Sequence, residues 1–134
     1  MNVVLDGNLL EQVVAHARSL YPMESCGLLA GNGNSATRFI PITNSLGSAT
    51  AYEMNPAELV SAFRSMRESG ETLVAIYHSH PHGPASPSSL DIRQSHYPEA
   101  AHLIVSLATL ESPAVRGFRI ADGEIIEIEL HVIV

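Results

Sequence analysis

The sequence predicts a single α/β or α+β domain spanning residues 1–134, in which about three helices pack on a mixed sheet of about seven strands. The first observation is size, since 134 residues with 46% hydrophobic and 16% charged side chains suit one buried core. The second is a helical apolar stripe near the start of the chain. The third is a series of β-branched and apolar runs separated by turn residues, and their mixed order favours helices packed on a sheet.

Three helices are predicted from capping residues and apolar periodicity. Asp6 can cap the first, which Pro22 stops. In the second, Asn55 can cap, Pro56 fits the first helical position, and Glu58 can reach back in a capping box. The third runs from residue 88 to about residue 96. The apolar positions that define the inner faces of the first two helices are Leu10, Val13, Val14, Ala17 and Tyr21, then Leu59, Phe63 and Met66.

The remaining chain is predicted to form strands and loops. Strands are expected at residues 1–5, 27–30, 37–43, 72–77, 102–107, 115–120 and 124–134. Asp122-Gly123 is a two-residue hairpin signal between the last two strands. In the final strand, alternation predicts a dry face made of Ile128, Leu130 and Val132. Residues 44–54 and the proline-rich residues 81–87 are expected to be loops.

Charge and cysteine content exclude several classes of function. A formal net charge of −7 argues against nucleic-acid binding, which needs a basic surface. No segment is long and apolar enough to span a membrane, and the first residues do not resemble a signal peptide. The single cysteine, Cys26, cannot form an internal disulfide. These features favour a cytoplasmic protein.

His78 and His80 end the predicted strand 72–77 and suggest a metal site. Residues two apart on a strand point to the same side, so both imidazoles can reach one ion. After the loop, Ser88 can cap the third helix with Asp91 in its first turn, where a carboxylate is favoured. Asp91 can then supply a third ligand.

Each part of this pattern also has a simpler explanation. A lone His-x-His is usually coincidental, Asp91 can be only a helix-start carboxylate, and Ser88 can be only a cap. The joint pattern favours a metal site. Glu24 is the best candidate for the general base that a hydrolytic metal site needs, although a glutamate at a helix–strand junction is more often an exposed surface residue.

Together these residues resemble the JAMM (MPN-plus) metalloprotease family. The family pattern is an upstream Glu, then His-x-His, seven residues, and Ser-x-x-Asp. Here it is complete: Glu24, His78-Ser79-His80, residues 81–87, and Ser88-Ser89-Leu90-Asp91. The neighbouring residues are similar to those of the short prokaryotic members that act on sulfur-carrier proteins. The resemblance implies a cytidine-deaminase-like fold with a curved, mostly antiparallel mixed sheet.

The resemblance also implies the chemistry. His78, His80 and Asp91 would bind one Zn²⁺, and Glu24 would activate the zinc-bound water and protonate the leaving amine. Ser88 would help to hold the oxyanion. The implied reaction is hydrolysis of an amide or isopeptide bond after the C-terminal Gly-Gly tail of a ubiquitin-like or sulfur-carrier protein. That tail is expected to lie along a sheet edge by strand addition. Residues 27–31 and the 44–54 loop are candidate walls of this groove, and they can equally be an ordinary hairpin and a surface loop.

Other residues are assigned smaller roles. Ser79, between the two histidines, is predicted to support them by hydrogen bonds. Cys26 can be a nucleophile or a fourth ligand, but a small buried thiol is favoured. His82 is expected to be a solvated loop residue. Two other functions stay open: a non-catalytic MPN-type scaffold, and a zinc hydrolase of small amides. An oligomer is possible but not specified by the sequence.

Overall fold

The computed structural model describes residues 2–134, so Met1, the first residue of the predicted strand 1–5, lies outside the described residues. Within this range the predicted three helices and seven strands are present. Their bounds are β1 Asn2–Asp6, α1 Gly7–Leu20, β2 Cys26–Asn32, β3 Ser35–Ile42, α2 Pro56–Glu68, β4 Thr72–His80, α3 Ser89–Arg93, β5 Ala101–Ser106, β6 Ala114–Ala121 and β7 Glu124–Ile133. The predicted α+β fold class is therefore confirmed.

The strands form a mixed sheet in the order β1-β3-β2-β4-β5-β6-β7, which closes into a barrel. Four neighbouring pairs are antiparallel, and β1–β3, β1–β7 and β4–β5 are parallel. Closure comes from β1, which pairs with β7 from Asn2↔Glu129 to Asp6↔Ile133 and meets β3 at Val4↔Ser35. The prediction of a curved sheet is correct, and the pairing of β1 with both β3 and β7 closes this sheet.

Strand β2 is paired on both sides, with β3 and with β4. Residues 27–31 therefore belong to an ordinary hairpin with β3 and offer no free sheet edge for strand addition. Their glycines serve close packing instead. A Cβ at Gly27 would lie 2.8 Å from the Ile40 carbonyl oxygen, and one at Gly31 would lie 1.9 Å from the Ser35 oxygen. Only glycine lets β3 approach so closely.

Helix α1 begins as predicted, because the Asp6 side chain accepts a hydrogen bond from the Leu9 N–H at 2.7 Å. Its buried face consists of Leu9, Val13 and Ala17. The prediction that Tyr21 belongs to this face is wrong: the helix ends at Leu20, and Tyr21 is 37% exposed. The stripe packs into the main core with Leu5, Leu29, Tyr77, Leu103 and Val105.

Helix α2 is capped as predicted at Asn55, whose side chain accepts the Glu58 N–H at 3.0 Å. Glu58, however, does not complete a capping box: its Oε1 accepts the Thr43 N–H at 2.9 Å. This bond ties the start of α2 to the end of β3. Met66 is buried, while Leu59 and Phe63 are partly buried against the same cluster.

The β6–β7 hairpin turns at Asp122 and Gly123 as predicted, both with positive φ (54° and 77°). The dry face of β7 extends less far than predicted. Ile128 is buried, but Val132 is 42% exposed because it lies near the end of the last strand. None of the helices in residues 2–134 is long and apolar enough to cross a membrane.

Candidate active site

Strand β4 carries the two histidines inside the sheet, between β2 and β5. His78 pairs with Cys26 on one side and with Ile104 on the other. Both rings are buried and turn to the same side of the strand, as the i, i+2 spacing predicts. Their Nε2 atoms lie 3.0 Å apart.

The third member of the cluster comes from α3, which follows the proline-rich loop. Ser88 caps this helix: its Oγ accepts the Asp91 N–H at 3.1 Å, and Asp91 Oδ2 accepts the Ser88 N–H at 2.8 Å. The same Oδ2 atom lies 3.1 Å from Nε2 of His78 and of His80. The predicted Ser-x-x-Asp helix start is correct, although α3 ends at Arg93, earlier than predicted.

The three atoms fit a zinc ion. Two imidazole nitrogens and one carboxylate oxygen form a common catalytic zinc set, and tetrahedral ligands at 2.0–2.1 Å lie about 3.3 Å apart. The observed separations of 3.0–3.1 Å are close to that value. The residues His78, His80 and Asp91 therefore form a group that could hold a metal.

Burial and hydrogen bonds shift the pKa values of the two histidines in opposite directions. Complete burial lowers the pKa of His78, which favours the neutral ring. Burial also acts to lower the pKa of His80, but its hydrogen bonds to Asp91 and, from Nδ1 at 2.8 Å, to the Pro84 carbonyl outweigh burial and raise that pKa, so this ring would lose a proton from Nε2 when a cation binds. Burial acts to raise the pKa of Asp91, but hydrogen bonds to both histidines and the Ser88 N–H outweigh it and hold that pKa well below its usual range.

Glu24 lies in a buried position just before β2, is only 5% exposed, and interacts electrostatically with His80 and Asp91 of this cluster. Burial, with a smaller contribution from the Asp91 charge, raises the pKa of Glu24 to about 7, although the charge of His80 opposes this. Its Oε1 is buried and has no hydrogen-bond partner within residues 2–134. The simpler explanation, an exposed surface glutamate, is therefore wrong.

Ser79 is buried but does not bond to the histidines beside it. Its Oγ accepts hydrogen bonds from the Ser25 N–H at 2.9 Å and from Ser25 Oγ at 3.0 Å, and its own N–H donates to the Ser25 carbonyl at 3.0 Å. The prediction that Ser79 supports the ligands by hydrogen bonds is therefore wrong. Successive side chains on a strand point to opposite sides, so Ser79 faces away from His78 and His80. On that side it holds the segment that carries Glu24.

A cleft of about 410 Å³ adjoins His78 and Asp91. Its walls come from the 44–54 loop, α2, and the residues after α3, and include Tyr52, Met54, Tyr97 and His102. The 44–54 loop therefore lines a cleft beside the site, and its role as a wall for a substrate tail stays a prediction. Tyr52, whose ring stacks on His78 with centroids 4.7 Å apart, was not predicted, since a single aromatic residue in a polar loop gives no periodic signal.

The remaining candidates have the simpler roles. Cys26 is fully buried, donates to the Ile42 carbonyl at 3.3 Å, and burial raises the pKa of its thiol to about 12. It is therefore a poor nucleophile or ligand. His82 is exposed in its loop and makes an edge contact with Tyr21. Both results match the favoured predictions.

Comparison with known protein families decides the assignment. The family model described as prokaryotic homologs of the JAB domain matches residues 7–121. The chain belongs to this family. The resemblance to JAMM (MPN-plus) proteins that the motif indicates is therefore confirmed.

Named relatives agree with the family assignment. A CysO-cysteine peptidase from Mycobacterium tuberculosis (strain ATCC 25618 / H37Rv) is 36% identical over 133 residues, covering 98% of this chain and 91% of the relative. A probable TtuB-protein conjugate cleaving protease from Thermus thermophilus is 37% identical over 117 residues, covering 87% and 74%. The prediction of an enzyme, a JAMM-type protease, is confirmed.

A solved structure supports the fold over the same length. The solution structure of protein DSY2949 from Desulfitobacterium hafniense superposes with a TM-score of 0.89 at 34% identity. It covers 99% of this chain and 93% of that one. The overall fold is therefore shared with an experimentally solved protein.

Proposed function

We propose that this protein is a zinc-dependent metallo-isopeptidase that hydrolyses an amide or isopeptide bond after the C-terminal Gly-Gly tail of a ubiquitin-like or sulfur-carrier protein. The observation that carries the proposal is the convergence of three ligand atoms within 3.1 Å of one another, near a buried, unpaired carboxylate. The relatives named as a CysO-cysteine peptidase and a TtuB-conjugate protease support this substrate class.

His78, His80 and Asp91 would hold one zinc ion per chain. When bound, zinc would acidify the attacking water and polarise the scissile carbonyl. Glu24 takes a proton from that water and returns it to the leaving amine. Burial raises the pKa of Glu24 to about 7 in the metal-free protein, and a bound cation would lower this pKa and favour the carboxylate that takes the proton. Its unpaired Oε1 keeps a lone pair available for both proton transfers.

Ser88 is proposed to stabilise the oxyanion that develops on the scissile carbonyl. Its Oγ already accepts the Asp91 N–H, which fixes the position of the oxygen. A hydroxyl that accepts one bond still has its own hydrogen to donate. Ser88 can therefore cap α3 and donate to the oxyanion at the same time.

The tail is proposed to lie in the cleft between the 44–54 loop and the residues after α3, because β2 is paired on both sides. Two glycines without side chains allow the carbonyl to approach His78 and Asp91 closely. The apolar lining of the cleft, which includes Tyr52, Met54 and Leu59, suits apolar residues that precede the glycines. The cytoplasmic location stays a prediction.

Mass spectrometry of a carrier-protein substrate tests the proposal. Zinc-loaded protein is incubated with a ubiquitin-fold carrier whose terminal Gly-Gly is joined to lysine or cysteine by an amide bond. Release of the free Gly-Gly carrier is expected, with a loss of at least about 100-fold in Glu24→Gln, which keeps the size of the side chain and removes the base. Cleavage that survives Glu24→Gln would contradict the mechanism, and cleavage of small amides alone would favour a small-amide hydrolase.

A further inference from the structure

A buried chain of hydroxyl groups connects the segment that carries Glu24 to the strand that carries the histidines. Ser25, Tyr77 and Ser79 are all fully buried. The hydroxyls of Ser25 and Tyr77 are in close hydrogen-bond contact, and Ser25 Oγ donates to Ser79 Oγ at 3.0 Å. At the outer end, His16 Nδ1 lies 3.3 Å from the Tyr77 hydroxyl.

The chain can be satisfied in one direction throughout. His16 donates to Tyr77, Tyr77 to Ser25, and Ser25 to Ser79, so Tyr77 and Ser25 each accept one bond and donate the next, and Ser79 accepts at the end of the chain. Such chains strengthen one another in a buried environment. A hydrogen-bonded chain in a core otherwise built of apolar side chains favours one arrangement of its members.

Every polar atom of Ser25 takes part in a hydrogen bond. Its N–H and Oγ both donate to Ser79 Oγ, and its carbonyl accepts the Ser79 N–H. Ser79 lies between the two metal ligands on β4. The backbone next to Glu24 is therefore fixed directly to the backbone that positions His78 and His80.

The glutamate itself has no comparable attachment through its carboxylate. Oε1 has no hydrogen-bond partner in the described chain, as a group that exchanges protons with water requires. On the other side of the segment, the Glu24 N–H donates to the Ser48 carbonyl at 2.8 Å, and the Asn44 Nδ2 donates to the Glu24 carbonyl at 3.0 Å. The position of the carboxylate thus depends on its backbone.

We propose that Ser25 and Tyr77 are positioning residues that, through Ser79, hold the base Glu24 at a fixed distance from the metal ligands. The inference rests on the proposed function and adds residues outside the metal-binding motif to its machinery. A misplacement of about 1 Å in a catalytic group can lower the rate by about 100-fold. The network acts on the base, and the ligand atoms keep their own contacts with one another, Pro84 and Ser88.

The first test compares Ser25→Ala and Tyr77→Phe with the wild type in carrier cleavage and in zinc content. Both variants are expected to lose about 10- to 100-fold in kcat, with KM changed less than about 3-fold and one zinc per chain retained. Thr72→Val is the control. It removes a β4 hydroxyl that bonds to Gly31 at the opposite end of the strand, and it should retain wild-type kcat. Wild-type kcat in the folded Ser25→Ala and Tyr77→Phe variants, or loss of zinc, would overturn the proposal.

The second test needs no substrate and so separates this proposal from the proposed function. Amide hydrogen exchange of the zinc-loaded protein is followed by NMR at Ser25, whose N–H bonds to Ser79 Oγ. Tyr77→Phe should speed exchange at Ser25 by about 10-fold or more. The Leu107 amide, which bonds to the His80 carbonyl at 3.0 Å, should keep its rate. Equal changes at both amides, or none at Ser25, would contradict a network directed at the base. If wild-type protein cleaves no carrier, only the proposed function fails.

Discussion

Glu24 combines deep burial with an unpaired carboxylate oxygen, which is costly unless the position serves a purpose. An ordinary glutamate at a helix–strand junction would extend into water. Here the backbone attachment through Ser25 prevents that, and burial raises the pKa of the carboxyl to about 7. The same environment that makes Glu24 a suitable base should therefore destabilise the metal-free protein once the group ionises.

The pH dependence of stability tests this for the metal-free protein. Below the unfolded pKa of about 4.5, Glu24 is neutral in both states. Because its folded pKa is higher, the unfolded state ionises first, and stability is lost as the pH rises through 7. Glu24→Gln does not titrate, so its Tm should exceed that of the wild type by a growing margin, about 5 °C at pH 8. This difference in Tm is measured by thermal unfolding of both proteins in the presence of a chelator from pH 4.5 to 8. A difference that stays constant over this pH range would contradict the raised pKa.

At the scale of elements, local signals predicted most helices and strands, and long-range contacts changed the details. The caps at Asp6 and Asn55 depend on residues three positions away, so sequence alone reveals them. Glu58 bonds instead to Thr43, which follows β3 and lies 15 positions earlier in the chain, and no local pattern indicates this bond. Likewise, the bonds of Ser79 to Ser25 span 54 positions. The ligand triad was predictable because its motif is compact, whereas the network that holds the base was not.

Helix α3 has five residues, too few to be stable without its cap and its contacts. The Ser88 cap therefore determines where Asp91 lies. Ser88→Ala should lower zinc affinity by about 10-fold, because it frees the first turn that presents the carboxylate. Competition with a chromophoric chelator measures this affinity. Ser89→Ala, at the next, exposed position, is the matched control, and equal affinities of both variants would show that Asp91 is held by other contacts.

The whole molecule brings its ligands together from two different parts of the fold. His78 and His80 belong to a barrel strand with neighbours on both sides, whereas Asp91 belongs to the short helix α3 that follows the proline-rich loop. Strand β4 is paired with β2 and β5, and β2 is paired with β3 on its other side, so neither strand has a free edge. The segment after β4 contributes the oxygen ligand and one wall of the cleft. A bound ion would therefore join this segment to the barrel through its ligands.

Zinc should accordingly stabilise the whole domain. A ligand that binds only the folded state at 100 times its Kd adds about 2.7 kcal/mol, which corresponds to a rise in Tm of about 5–10 °C for a domain of this size. His80→Ala should abolish most of that rise, because it removes one of three ligand atoms. His82→Ala provides the matched control, since His82 is an exposed histidine two residues away in the same segment. Thermal unfolding with and without zinc should show the full shift in His82→Ala, and an equal shift in both variants would place the ion elsewhere.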